Sequence, residues 1–310
     1  MLAALAILLQ HASIEIQLDN ALQGITRFDH SFHAAIGSTL ARNGFAIDAI
    51  QVVKGDEDAR LMVIDQTTSN KFPRTTFLIE RTSTSMHAHV LQETVADDEA
   101  IEPTIAILRE GRLVVLGVLL GVGNAPPAAA RIYKREGDRW NAVASEYGPD
   151  GNEVGDPAPH LLQRHGHLDY DRFQLTARDY PKALNVAHAG PHLVFDGLYK
   201  VSNVRIQRIS IHRRDTAFAA LDDLTVAATK GNRRGFDRLV DKSIRKLLWT
   251  SVRRDVRIDA TNFTNEVDDA ATSFRIGSFD ADQHYFVVKF GRRNGKMRAV
   301  GLQKIPNPWP

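Results

Sequence analysis

A chain of 310 residues is about twice the length of an ordinary domain, so two cores are expected. An apolar share of 43% with 25% charged residues excludes both a membrane bundle and long disorder. A net charge of +2 is too small to point to nucleic acid as a partner, and zero cysteines exclude disulfides, thiolate metal sites and a cysteine nucleophile.

The apolar run Met1 to Leu9 has the length of a signal-peptide core, but no Lys or Arg precedes it. Residues 1–12 are therefore read as a signal remnant or an apolar helix, with a periplasmic or secreted location as the expectation and a cytoplasmic one as the alternative. Phe32, Ile36 and Leu40 recur at helical spacing and Asn43-Gly44 supplies a stop, which predicts a helix over Ser31 to Arg42. The period then changes to two, and Phe45 to Val53, Arg60 to Asp65, Thr75 to Arg81 and Met86 to Val95 read as consecutive strands. Arg109-Glu110-Gly111 before Leu113 and Arg135-Glu136-Gly137-Asp138 before Trp140 read as hairpin turns, as does Phe195-Asp196-Gly197 before Tyr199. The apolar stretch Leu113 to Val122 falls well short of the roughly 20 residues that span a bilayer, so no transmembrane segment is expected. Gly148 to Asp156 reads as a surface loop, and the period returns to about 3.6 after Arg213-Arg214-Asp215. Residues 13–213 are thus expected to form an antiparallel β domain, whether sandwich, barrel or curved sheet, in a chain of the α+β, β-rich class.

In the last third, Asp215 is expected to cap a helix carrying Phe218, Leu221, Leu224 and Ala228 and ending at Gly231. Phe236, Leu239, Val240, Ile244, Leu247 and Leu248 predict one amphipathic helix with a basic opposite face. Strand-like runs follow at Asp255 to Phe263, Ala271 to Phe279 and Gln283 to Arg292, the last joined by Asn294-Gly295 to Met297 to Ile305. The stretch AATKGNRRGFDRLVD and the terminal strand pair resemble the nuclear-transport-factor-2-like (SnoaL-like) cone fold over about residues 216–308, within an α+β domain placed at 214–310. The resemblance implies a curved sheet wrapped around a helix and enclosing a pocket. Trp249, Phe263, Phe274, His284 and Phe286 are the candidate lining, with His284 as its acid or base.

Elsewhere, His165, His167 and Asp169 have the H-x-H-x-D spacing that brings alternate strand residues to one metal, beside His160 and Asp171. His87 and His89 form a second pair. Gly117, Gly121 and Gly123 do not precede a helix, so no dinucleotide loop is predicted, and no cofactor is expected. From Lys200 to Arg257 there are 15 Lys and Arg against 6 Asp, a basic stretch suited to an anionic partner. With no Gly-x-Ser-x-Gly, His-Glu-x-x-His or phosphate-loop motif, the leading reading is a non-catalytic protein that binds a small molecule or another protein. The alternatives are an isomerase, dehydratase or hydrolase using the C-terminal pocket, or a metal-dependent hydrolase at His165, His167 and Asp169.

Overall fold

A computed structural model describes residues 13–66, 75–92, 101–119, 128–147, 159–164, 167–184, 186, 191–202, 205–252, 256–258, 271–278 and 285–306. It is α+β and β-rich. The chain forms two compact units, one from Met1–Gly148, Pro157–Leu175 and Leu198–Ile209, the other from Pro149–Asp156, Thr176–Gly197 and Ser210–Pro310.

The first unit opens with two helices, α1 over 13–22 and α2 over His30–Arg42. Asp29 caps α2 through its side chain, and Gly44 with φ 77° reverses the chain after it, a conformation that costs glycine little. Eight strands follow: β1 (Phe45–Val52), β2 (Ala59–Gln66), β3 (Thr75–Arg81), β4 (Met86–Gln92), β5 (Ile101–Arg109), β6 (Arg112–Leu119), β7 (Ala128–Glu136) and β8 (Arg139–Tyr147). They hydrogen-bond in the order β1-β2-β3-β4-β8-β7-β6-β5, all antiparallel except the β4–β8 seam, where Leu91 lies opposite Trp140 in parallel. Lys54 closes the other seam, its N–H donating to Ala106 O at 2.8 Å and its carbonyl accepting from Leu108 N at 2.9 Å. The sheet is therefore a nearly closed barrel.

Alternation sets the layers. Leu61, Leu78, Leu113, Val115, Ala129 and Tyr133 face one core inside the barrel. Their neighbours Met62, Phe77 and Ile79 face outward against Ile14, Leu18 and Leu22 of α1 and Phe32, Ile36 and Leu40 of α2. Val114, Leu116, Ala128 and Ala130 face outward against Phe173, Leu175, Tyr199 and Val201. Strands buried on both faces read as continuous apolar runs, which is why Leu61 to Ile64 and Leu113 to Leu116 lack a polar face.

The outer strands form a second sheet, ordered β12-β11-β10-β9, from β9 (His160–Arg164), β10 (His167–Asp179), β11 (Leu193–Ser202) and β12 (Arg205–Arg213). Phe195-Asp196-Gly197 is not a turn but lies within β11. The Asp196 carboxylate accepts from Arg214 Nε at 2.7 Å and from Thr176 Oγ1 at 3.0 Å, so its polarity is satisfied within the sheet.

In the second unit, α3 (Ala217–Thr229) is capped by Thr216 rather than Asp215. Asp215 instead accepts from Met297 N at 3.0 Å and from Arg292 at 3.2 Å. Helix α3 is buried on nearly every side, against a sheet ordered β13 (Val256–Ile258), β14 (Ser273–Ser278), β15 (Tyr285–Arg293) and β16 (Lys296–Ile305). The single amphipathic helix expected next is two helices, α4 (Arg233–Leu239) and α5 (Arg245–Val252). Val240 is extended and Asp241 N donates to Ala299 O at 2.9 Å, so pairing with β16 outcompetes helical continuation there.

Candidate functional site

Among the described residues, the strongest gathering of titratable side chains lies on the barrel wall beside the β4–β8 seam. The Leu91–Trp140 and Gln92–Asn141 pairs are the β4–β8 register, which leaves the earlier part of β4 with an open edge. Helix α1 covers it. Asp19 Oδ1 accepts from Ala88 N at 2.7 Å and Glu15 Oε1 from Val90 N at 2.9 Å, two carboxylates one helical turn apart meeting alternate strand amides.

Glu80 on β3 is the hub. His89 Nε2 lies 3.1 Å from its Oε2, Arg135 Nη1 donates at 3.4 Å, and the indole N–H of Trp140 donates to Oε2 at 3.4 Å. The side chains of Glu80 and His89 are only 19% and 13% exposed, whereas Arg135 is 44% exposed at the mouth. Burial pushes the Glu80 carboxyl up, but the His89 hydrogen bond, the Arg135 charge and the Trp140 indole together outweigh it and hold the group below its usual range. For His89, burial disfavours the imidazolium, and the hydrogen bond and charge of Glu80 overcome that penalty and hold it above the usual histidine value.

Two cavities share Glu80 and Arg135 in their walls. One, of about 530 Å³, is lined by Asp56, Arg109, Glu110 and Trp140 among others. The other, of about 660 Å³, is lined by Glu15, Asp19, His87, His89 and Asp138 among others. At its rim, Ser85 Oγ is 3.1 Å from His87 Nε2, and His87 Nδ1 is 3.7 Å from Asp19 Oδ1. The arrangement offers fixed charges of both signs, one desolvated imidazole and an accessible guanidinium.

The C-terminal aromatics are placed differently. Phe274 is 1% and Phe286 4% exposed, and both pack in the core around α3 with the Phe274 and Phe218 rings 5.6 Å apart. Trp249 meets Phe236 edge-on at 4.9 Å, with the Arg233 guanidinium 4.8 Å from its ring. Phe263 and His284 lie outside the described residues. So does His165, and the surroundings of the His160 and His167 side chains are likewise outside them. Asp169 accepts from Asp171 N at 3.0 Å and faces Arg172, and Asp171 pairs with Arg109 at 3.1 Å. Among the described residues, no three His, Asp or Glu converge as a metal set. No described helix is long and apolar enough to cross a membrane.

In the sequence, His87 and His89 stand out only as a pair and Trp140 only as the residue after a turn. Arg135 stands out only as part of that turn and Glu80 only as part of a strand, although Glu80 precedes a tight Thr82–Ser85 reversal into a His-x-His strand. That hairpin is the signal for Glu80 beside His89, whereas nothing in it points to Arg135 on β7. Comparison with protein-family models and with curated proteins finds no match to this chain.

Proposed function

We propose that the chain is a ligand-binding protein whose site is the cleft between β4 and the β7–β8 hairpin, and that its ligand is a small polar molecule carrying an anionic group. The observation that carries this reading is the exposed Arg135 guanidinium in the walls of both cavities. Glu80 already meets His89 and the Trp140 indole, and Arg135 reaches it only at 3.4 Å while standing 44% exposed in the wall of both cavities, so the guanidinium is placed to meet an anionic group there. Glu15, Asp19 and Asp138 on the rim of the larger cavity are placed to accept donors from the same molecule. A buried Trp140 supplies an apolar wall, the usual companion of a few fixed polar groups in small-molecule sites. The test is a panel of small carboxylates, phosphates and zwitterions screened by melting temperature against the native protein and Arg135→Ala. A compound that stabilises the native protein and not the variant is expected. Stabilisation that is equal in both, or stabilisation only by cations, contradicts the reading.

A second reading is favoured by His87, whose two ring nitrogens face the Ser85 hydroxyl and the Asp19 carboxylate. In a hydrolase, His87 would take the Ser85 proton as Oγ attacks an acyl carbon, then return it to the leaving group, and water would release the acyl group. A serine-directed phosphonate that labels Ser85 in the native protein but not in His87→Ala supports it. Absence of labelling removes it.

For residues 214–310, the succession of helices and then four antiparallel strands supports the nuclear-transport-factor-2-like reading.

A further inference from the structure

We propose that the basic segment from Lys230 to Lys246, which runs through α4 into α5, docks on an anionic membrane surface. Between Lys230 and Lys246 there are seven Lys and Arg against two Asp. Both acids are already engaged. Asp237 accepts from Arg233 at 2.9 Å and lies 4.0 Å from Arg245 Nε, while Asp241 accepts from Ser243 N at 3.1 Å and its carboxyl is held below the usual range by that bond first, with Arg293 and Arg245 adding to it.

That leaves Lys230, Arg234, Arg238, Lys242 and Lys246, which are exposed and make no ion pair with a described residue. Arg234 and Arg238 are one turn apart on α4. Lys242 lies in the turn that Ile244 N closes on Asp241 O at 3.2 Å, and Lys246 in the first turn of α5, where Leu248 N donates to Ile244 O at 2.9 Å. Leu247 sits beside Lys246 with 53% of its surface exposed, while Leu248 and Val252 fill the core.

An apolar side chain left in water among unpaired cations is what an interfacial helix presents to a lipid surface, where the cations meet headgroup phosphates and the leucine enters the boundary. Charge complementarity alone would also suit a nucleic-acid backbone, but phosphates of a duplex gain nothing from Leu247, so the lipid surface is favoured. This surface lies within the second unit and owes nothing to the barrel cleft.

The test is co-sedimentation of the full chain with vesicles of phosphatidylcholine alone and with added phosphatidylserine, at low and physiological salt. Binding is expected only to the anionic vesicles and is expected to weaken with salt. Each cation near the surface contributes about fivefold, so the pair Lys242→Gln and Lys246→Gln is expected to weaken binding by more than about tenfold. Leu247→Ser is expected to weaken it without changing the salt dependence. Melting curves check that the variants fold. Equal binding to both vesicle types, binding to neither, or binding to duplex DNA but not to vesicles overturns the proposal.

Discussion

Glu80 and His89 stabilise the fold only while both are charged, and their shifts define the window. His89 is held above its ordinary value, so its contribution is complete below about pH 6.5 and fades as pH rises through the raised value. Glu80 is held below its ordinary value, so its contribution is complete above about pH 4.5 and fades as pH falls through the lowered value. Urea midpoints of the native protein and His89→Gln are therefore expected to differ most between about pH 5 and pH 6.5, and to converge in alkali. A difference independent of pH would contradict the pairing. Glu80→Ala, which strands a half-buried imidazolium and the Trp140 indole N–H, is expected to cost about 2 kcal/mol. His87, His89 and Trp140 were visible in the sequence, and the β3–β4 hairpin could have placed Glu80 beside His89, but Arg135 and Trp140 reach Glu80 only when β7 and β8 converge on β3 and β4.

The element scale shows which strands depend on outside help. Residues 86–90 of β4 have no strand on their open edge among the described residues, and Glu15 and Asp19 of α1 serve in its place. Glu15→Ala and Asp19→Ala are expected to speed amide exchange at Val90 and Ala88 respectively by about tenfold, with little change elsewhere. Unchanged exchange at both amides would mean the helix does not protect the edge. At Gly117 in β6, an added Cβ would lie 1.9 Å from the Glu102 carbonyl oxygen, so Gly117→Ala must displace β5. A loss on the order of 3 kcal/mol in chemical denaturation is expected, whereas Gly291→Ala, whose Cβ meets Val300 at an ordinary 3.5 Å, is expected to be near neutral. The hairpins were legible because Glu110-Gly111 and Asn294-Gly295 carry their own positive-φ chemistry. The break after α4 and the strand through Phe195-Asp196-Gly197 were not, since Ala299 and Arg214 decide them from far along the chain.

For the molecule as a whole, composition and periodicity conveyed the β-rich α+β class, but not that one sheet nearly closes on itself or that its two seams differ. Closure rests on Lys54 at one seam and on two residue pairs at the other, and neither leaves a pattern in sequence. Beside the β4–β8 seam lies the cleft walled by Glu80, His89 and Arg135. The most direct measurement is to diffuse small polar carboxylates and phosphates into crystals of the protein and locate them. An anionic group is expected against Arg135 beside Glu80, and it is expected to be lost in Arg135→Ala crystals. Anions that settle elsewhere while the cleft holds only water would contradict the reading.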